Sequence, residues 1–350
     1  MLRKILAPFS HLPGESCLLP GSSWSLTAYP TRVCLEDQKQ NQATFSLKLT
    51  GPIEGFTVMQ DLNRGYVTVY GKAKEGFFSY RLQQKESGIT LTVKRCPGKG
   101  LDFTFEKTTR TLLRNETFCF PLSVDHAPLS PEWIHFGCHK KQDWPLVKRR
   151  LELSEILPIW FALGKNTPPG PLHHEGSAAL LNLCEKAIET RNKEEIDSAF
   201  LTLFRIGFKG ILTPRLVDDE HQGVPLSTSQ PDASPLVLLS HGAQLIRRLF
   251  IEVEGETVAL LPCLPPELHA GECHSMEILP GLALDCTWSK KELKTVMLHV
   301  QKERTLHLQL PKKLKHFRLR QTKREKGKRI ERDAALSLKS GTYFLDRFEK

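Results

Sequence analysis

The chain is 350 residues long, more than one ordinary core encloses, so two domains and a small third piece are the expectation. Forty per cent apolar and 25% charged residues exclude an intrinsically disordered chain, and no apolar run reaches bilayer-spanning length. The formal net charge is +10, but residues 311–332 hold eleven Lys or Arg against two Glu, a local +9 that leaves the remaining surface near neutral.

The opening residues MLRKILAPFSHLPG have a basic start, but Pro8 and His11 cut the apolar run short of a signal peptide. From about 24 to 122 the pattern is all strand. Ala43 to Leu49, Tyr66 to Tyr70, Phe77 to Leu82, Ile89 to Val93 and Leu101 to Phe105 alternate in polarity and are punctuated by Gly, Pro or Asn. Their spacing of about ten residues predicts an N-terminal β-sandwich over residues 1–130.

The period changes after Pro131. Residues 145–163 and 177–208 turn helical, the latter as a hairpin with Leu180, Cys184, Ala187 and Ile188 on one arm and Ile196, Ala199, Phe200 and Leu203 on the other. Asn192 and Glu195 form a capping-box-like start for the second arm, because the Asn oxygen accepts an orphan amide. A polar loop over 217–234 ends at Ser234-Pro235, read as an N-cap with proline at the first helical position. The helix that follows carries Leu238, Leu239, Gly242, Ile246 and Leu249 on one face.

Strands then return over 251–350 as a second, smaller β-sandwich: Thr257 to Leu261, Met276 to Ile278, Leu282 to Trp288, Thr295 to Val300, Thr305 to Leu310, Phe317 to Arg320 and Thr342 to Phe348. The expected fold is mainly β with α, two β-sandwiches joined by a helical unit over 131–250. Within it, Leu260 to Leu268 reads LLPCLPPEL, with Pro262, Pro265 and Pro266 where a strand should continue. Each proline lacks a ladder donor, so the strand must stop and the chain must turn.

That break, with Gly271 and Trp288 to Leu293 after it, resembles the end of family-95 glycoside hydrolases, the inverting α-L-fucosidases, and the wider six-hairpin glycosidase group. The resemblance covers roughly residues 236–300. It implies an (α/α) barrel between β-domains, but residues 131–250 have room for four or five helices rather than twelve, so an incomplete barrel is expected. It also places a catalytic Asp in a Gln-x-Asp-Gly-Asn-Phe-like loop before the last barrel helix. Gln230-Pro231-Asp232 holds that place here, with Ala233 and Ser234 instead of Gly and Asn.

An inverting glycosidase needs a carboxylic acid and a second carboxylate roughly 6.5–9.5 Å apart. The catalytic candidates are therefore Asp232 and the cluster Asp218, Asp219 and Glu220, where mutual repulsion raises a pKa; the alternative is a solvated loop. Trp133, His135, His139, Asp143 and Trp144, with His221, are candidate sugar-binding groups, because pyranose C–H faces bury against rings; interdomain packing explains the tryptophans as well. Lys312, Lys313, Arg318 and Arg320 are candidate polyanion ligands or the charges of a solvated hairpin tipped by Lys326-Gly327.

His173-His174-Glu175 lacks further metal ligands at suitable spacing, and no phosphate loop, dinucleotide fingerprint or nucleophile elbow occurs, so neither metal nor cofactor is expected. Nine cysteines without a C-x-x-C pair fit reduced thiols in a cytoplasm. The functional expectation is a glycosidase-like protein that binds carbohydrate or serves as a scaffold without hydrolysing it. The alternatives are an active inverting hydrolase and a polyanion-binding protein.

Overall fold

The computed structural model describes residues 5–37, 41–122, 127–218, 233–322 and 324–350. The architecture is mainly β with a smaller helical part, and the helices lie between sheets in the chain order.

Residues up to 120 build two six-stranded sheets. One runs, in spatial order, Phe9–Ser10, Glu54–Asp61, Tyr66–Ala73, Gly76–Lys85, Gly88–Arg95 and Thr117–Phe120. The other runs Thr108–Leu112, Leu101–Phe105, Gln42–Leu47, Arg32–Glu36, Ser25–Tyr29 and Glu15–Leu18. Strict alternation, as in Gln42–Leu47, gives each sheet one apolar face. Those faces meet: Phe45 of the second sheet stacks on Phe120 of the first at 5.3 Å and meets Tyr80 edge-on at 6.1 Å. Two strands, Phe9–Ser10 and Glu15–Leu18, precede the expected start near residue 24; they are too short to show a period and exist because longer strands pair with them.

Trp133–His135 falls where a helical unit was expected, but it is the edge strand of a third sheet. That sheet runs Trp133–His135, Gly271–Leu279, Leu282–Ser289, Glu292–Val300, Gly341–Glu349, His316–Arg320 and Lys328–Glu331. A four-stranded sheet of Ile251–Glu254, Thr257–Leu260, Arg304–Gln309 and Ala335–Leu338 accompanies it, with one parallel pair between Thr257–Leu260 and Arg304–Gln309.

Among the described residues there are five α-helices: α1 Trp144–Arg150, α2 Leu153–Lys165, α3 Ala179–Glu189, α4 Lys193–Gly207 and α5 Val237–Arg248. The helical stretch expected over 145–163 is divided at Leu151, whose φ of 55° ends α1 in a left-handed cap. The α3/α4 hairpin forms, and the Asn192 oxygen accepts the Glu195 amide at 3.4 Å. Helix α5 starts later than Ser234-Pro235 suggested, because residues 234–236 first close a tight turn in which the Ser234 and Pro235 carbonyls accept from Val237 and Leu238. Helices α2 and α5 cross in contact at glycines. A Cβ on Gly242 would lie 2.7 Å from Trp160 Nε1, and one on Gly164 would strike the Leu239 carbonyl, while Trp160 Nε1 donates to the Leu238 carbonyl at 2.9 Å.

The proline-broken stretch turns the chain as its chemistry demands. The strand ends at Leu260, Leu261 takes a φ of 54°, and its amide donates to the Phe250 carbonyl at 2.7 Å. Cys263 Sγ reaches the Ile188 carbonyl at the end of α3 (3.4 Å), and the Leu268 carbonyl accepts Trp288 Nε1 at 2.9 Å. Residues 261–270 thus carry the chain from the four-stranded sheet past α3 into the third sheet. All nine cysteines are free thiols, and no described helix is long and apolar enough to cross a membrane.

Candidate functional site

Alternation in the third sheet buries Cys273, Leu284, Cys286, Val296, Leu298 and Leu345, which sends His274, Asp285, Thr295, Met297, Phe344 and Asp346 to the opposite face. That outer face holds a groove of about 540 Å³, closed at one side by Trp133 and at the other by Arg320.

The Trp133 end is an alternating chain of acids and imidazoles. Trp133 lies opposite His274 in the strand register and stacks on its ring, centroids 4.2 Å apart and planes 16° from parallel. His274 Nε2 is 3.4 Å from Glu272 and its Nδ1 is 3.6 Å from Asp285 Oδ2. His299 reaches the same Asp285 oxygen at 3.6 Å, and His135 sits 3.9 Å from Glu272. A bulge between Cys273 and Met276, with Ser275 at a φ of 54°, aims the Ser275 amide at Asp285 Oδ1, 2.7 Å away. Burial alone would push the His274 imidazole down, but the two carboxylates outweigh it and its pKa is raised. Burial likewise works to raise Asp285, and the His274 contact, the Ser275 amide and the charges of His274 and His299 outweigh it, leaving that carboxyl below its ordinary range.

At the other end Asp346 is gripped by two arginines. Arg318 donates to it in bidentate fashion at 2.7 and 2.9 Å, and Arg320 Nη2 adds a third bond at 2.5 Å. The Arg318 contact, the largest influence, holds the Asp346 carboxyl low against the opposing effect of burial. Neither carboxylate lining the groove is tuned to give up a proton near neutral pH. Between the clusters lie the Phe344 and Met297 side chains, so the floor is apolar and the ends are ionic. Among the described residues no group of three or more His, Cys, Asp or Glu is arranged to hold a metal ion.

Of the residues singled out in the sequence, Trp133 and Arg320 line this groove. His135 joins it through Glu272, and Arg318 through Asp346. His139 is exposed, its ring 6.0 Å from that of His135. Asp143 and Trp144 lie elsewhere: Asp143 precedes α1 without a side-chain cap bond, while Trp144 is fully buried, packs edge-on against Phe204 and donates to the Gly210 carbonyl. Asp218 is fully buried, whereas Asp219, Glu220, His221 and Asp232 lie outside the described residues. Lys312 and Lys313 are exposed in the turn before His316–Arg320. His173 Nε2 is 3.0 Å from the Ser234 carbonyl, and His174 contacts Asn182.

Glu272, His274, Asp285, His299, Phe344 and Asp346 went unnoticed in the sequence. The signal for three of them is the parity of the consecutive strands 271–300, which puts His274, Asp285 and His299 on one face. No protein-family model matches the chain, and no curated protein matches it.

Proposed function

We propose that the third-sheet groove binds carbohydrate without hydrolysing it, in a glycosidase-like protein whose helical barrel is reduced to residues 131–250 between β-sandwiches at 1–130 and 251–350. Two features support the architectural part. The described helices number five, where a closed six-hairpin barrel needs twelve, and the proline break at 260–268 delivers the chain from the four-stranded sheet that follows the last helix into the last large sheet.

The observation that carries the binding part is the composition of the groove. Sugars present apolar C–H faces and a ring of directional hydroxyls, and a site that holds them needs flat apolar surface beside fixed donors and acceptors. Phe344 supplies the surface, and the mostly buried Trp133, stacked on His274, borders it. Asp285 and Asp346 supply acceptors, and His274 and Arg320 supply donors, each held in place by a second charged group. A volume of about 540 Å³ falls within the usual span for small-ligand sites, roughly 300–1,000 Å³. Inverting hydrolysis needs a carboxylic acid that keeps its proton near neutral pH, and the lowered Asp285 and Asp346 are tuned in the opposite direction.

Calorimetric titration at low salt against fucosides, glucosides and bacterial-wall sugars tests the reading. Saturable heat is expected with at least one class, weakened about tenfold in Phe344→Ala, since an aromatic face contributes on the order of 1 kcal/mol beyond its area. Silence across the panel, or an affinity indifferent to Phe344, overturns it.

A further inference from the structure

A second surface, on the outer face of the first sheet, differs in kind from the groove. Tyr70 is 37% exposed and Phe77 61% exposed, rare for rings this large, and both line a concavity of about 430 Å³ together with Arg81, Lys94 and Arg95. The register explains the grouping. Tyr70 stands opposite Ser79 and Phe77 opposite Lys72, so the two rings are diagonal neighbours on adjacent strands, roughly 7–8 Å apart by sheet geometry. Ser79 in turn faces Arg95, and a register shift there brings Lys94 to the same lining.

Four arginines of the C-terminal basic segment already have acidic partners. Arg318 and Arg320 are bound to Asp346, Arg329 to Glu349 and Arg332 to Asp333. Arg81, Lys94 and Arg95 have no carboxylate partner among the described residues, and Arg81 Nε is buried without a hydrogen-bond acceptor. The Arg81 guanidinium instead lies 4.2 Å over the Tyr66 ring, which fixes its plane. Lys72, 6.0 Å from the Phe77 centroid, is paired with the exposed Glu54 at the rim.

Exposed rings with unpaired cations beside them fit a polymer that carries both flat faces and regular negative charge. We infer that this face binds single-stranded nucleic acid: bases stack on Tyr70 and Phe77, and phosphates meet Arg81, Lys94 and Arg95. Double-stranded nucleic acid offers the charge without the free base faces. A sulfated glycan does the same and gives the rings no specific role.

The test is fluorescence anisotropy of the full chain with labelled oligothymidylate and oligouridylate of about 12 nucleotides, within the site size of one stacking domain. Binding is expected to exceed that of a duplex of equal length. Its logarithm should fall with the logarithm of salt at a slope of about −2, for three neutralised phosphates at about 0.7 each. Tyr70→Ala with Phe77→Ala should weaken it at least about tenfold, because each stacked base is worth that order of affinity. Lys94→Glu with Arg95→Glu should abolish it, and Lys312→Glu with Lys313→Glu should leave it unchanged. If the double ring variant melts early, Phe77→Ala, the more exposed site, carries the same readout. No retention of either oligonucleotide overturns the inference. So does a heparin fragment that binds as tightly and ignores the ring substitutions, or a loss that follows only Lys312 and Lys313.

Discussion

His274 stands between two carboxylates, stacked on Trp133, and its protonation couples the residues that wall the groove. Its raised pKa means that protonation favours the folded state: that contribution is complete below the ordinary histidine value of about 6.5 and is lost as pH rises through the higher folded value. Asp285 is lowered, so its contribution is present above about pH 3.9 and is lost as pH falls through its folded value. The pair therefore stabilises most between about pH 4 and pH 6.5. NMR titration should find the His274 imidazole changing charge above pH 6.5, and Asp285→Asn should move that transition down. A His274 that titrates at or below the ordinary value would contradict the geometry. Sequence alone could show the histidine and the aspartate on one face of consecutive strands. It could not show Trp133 above them, since Trp133–His135 is too short for a visible period and becomes a strand only by pairing with Gly271–Leu279.

That pairing depends on Gly271. A Cβ there would strike the Trp288 ring and lie 2.8 Å from the His135 carbonyl, so the edge strand approaches as it does because position 271 has no side chain. Gly271→Ala should cost about 1–3 kcal/mol by overpacking, read as a lower urea midpoint at unchanged slope. An unchanged midpoint would mean that the edge strand is held by other contacts. Elsewhere the elements were legible where local rules decided them. Gln42–Leu47 and Leu282–Ser289 follow strict alternation, and the α3/α4 hairpin follows its helical stripe. Local rules failed where packing decided. Leu151 divides the helical stretch into α1 and α2, with Trp144 and Val147 buried on the first and the α2 face packed on α5 through Gly164 and Gly242.

At the scale of the molecule, the groove requires a strand order that the chain does not follow. Gly341–Glu349 inserts between Glu292–Val300 and His316–Arg320, and this places Phe344 and Asp346 beside Met297 and Arg320. Non-sequential pairing of this kind leaves no trace in periodicity, so the sequence offered Arg318 and Arg320 as candidate ligands but could not show that Asp346 holds both. The charge is divided too: the arginines at 318, 320, 329 and 332 have acidic partners, while Arg81, Lys94 and Arg95, unremarkable in the sequence, have none among the described residues. The claim on which the account rests is that a saccharide settles between Trp133 and Phe344. Following the tryptophan indole and histidine ring signals by NMR during saccharide titration tests it most directly. The account predicts saturable shifts at Trp133 and His274, with the fully buried Trp144 and Trp160 unmoved. Signals that stay still for every sugar, or that move only at sites remote from the third sheet, would contradict it.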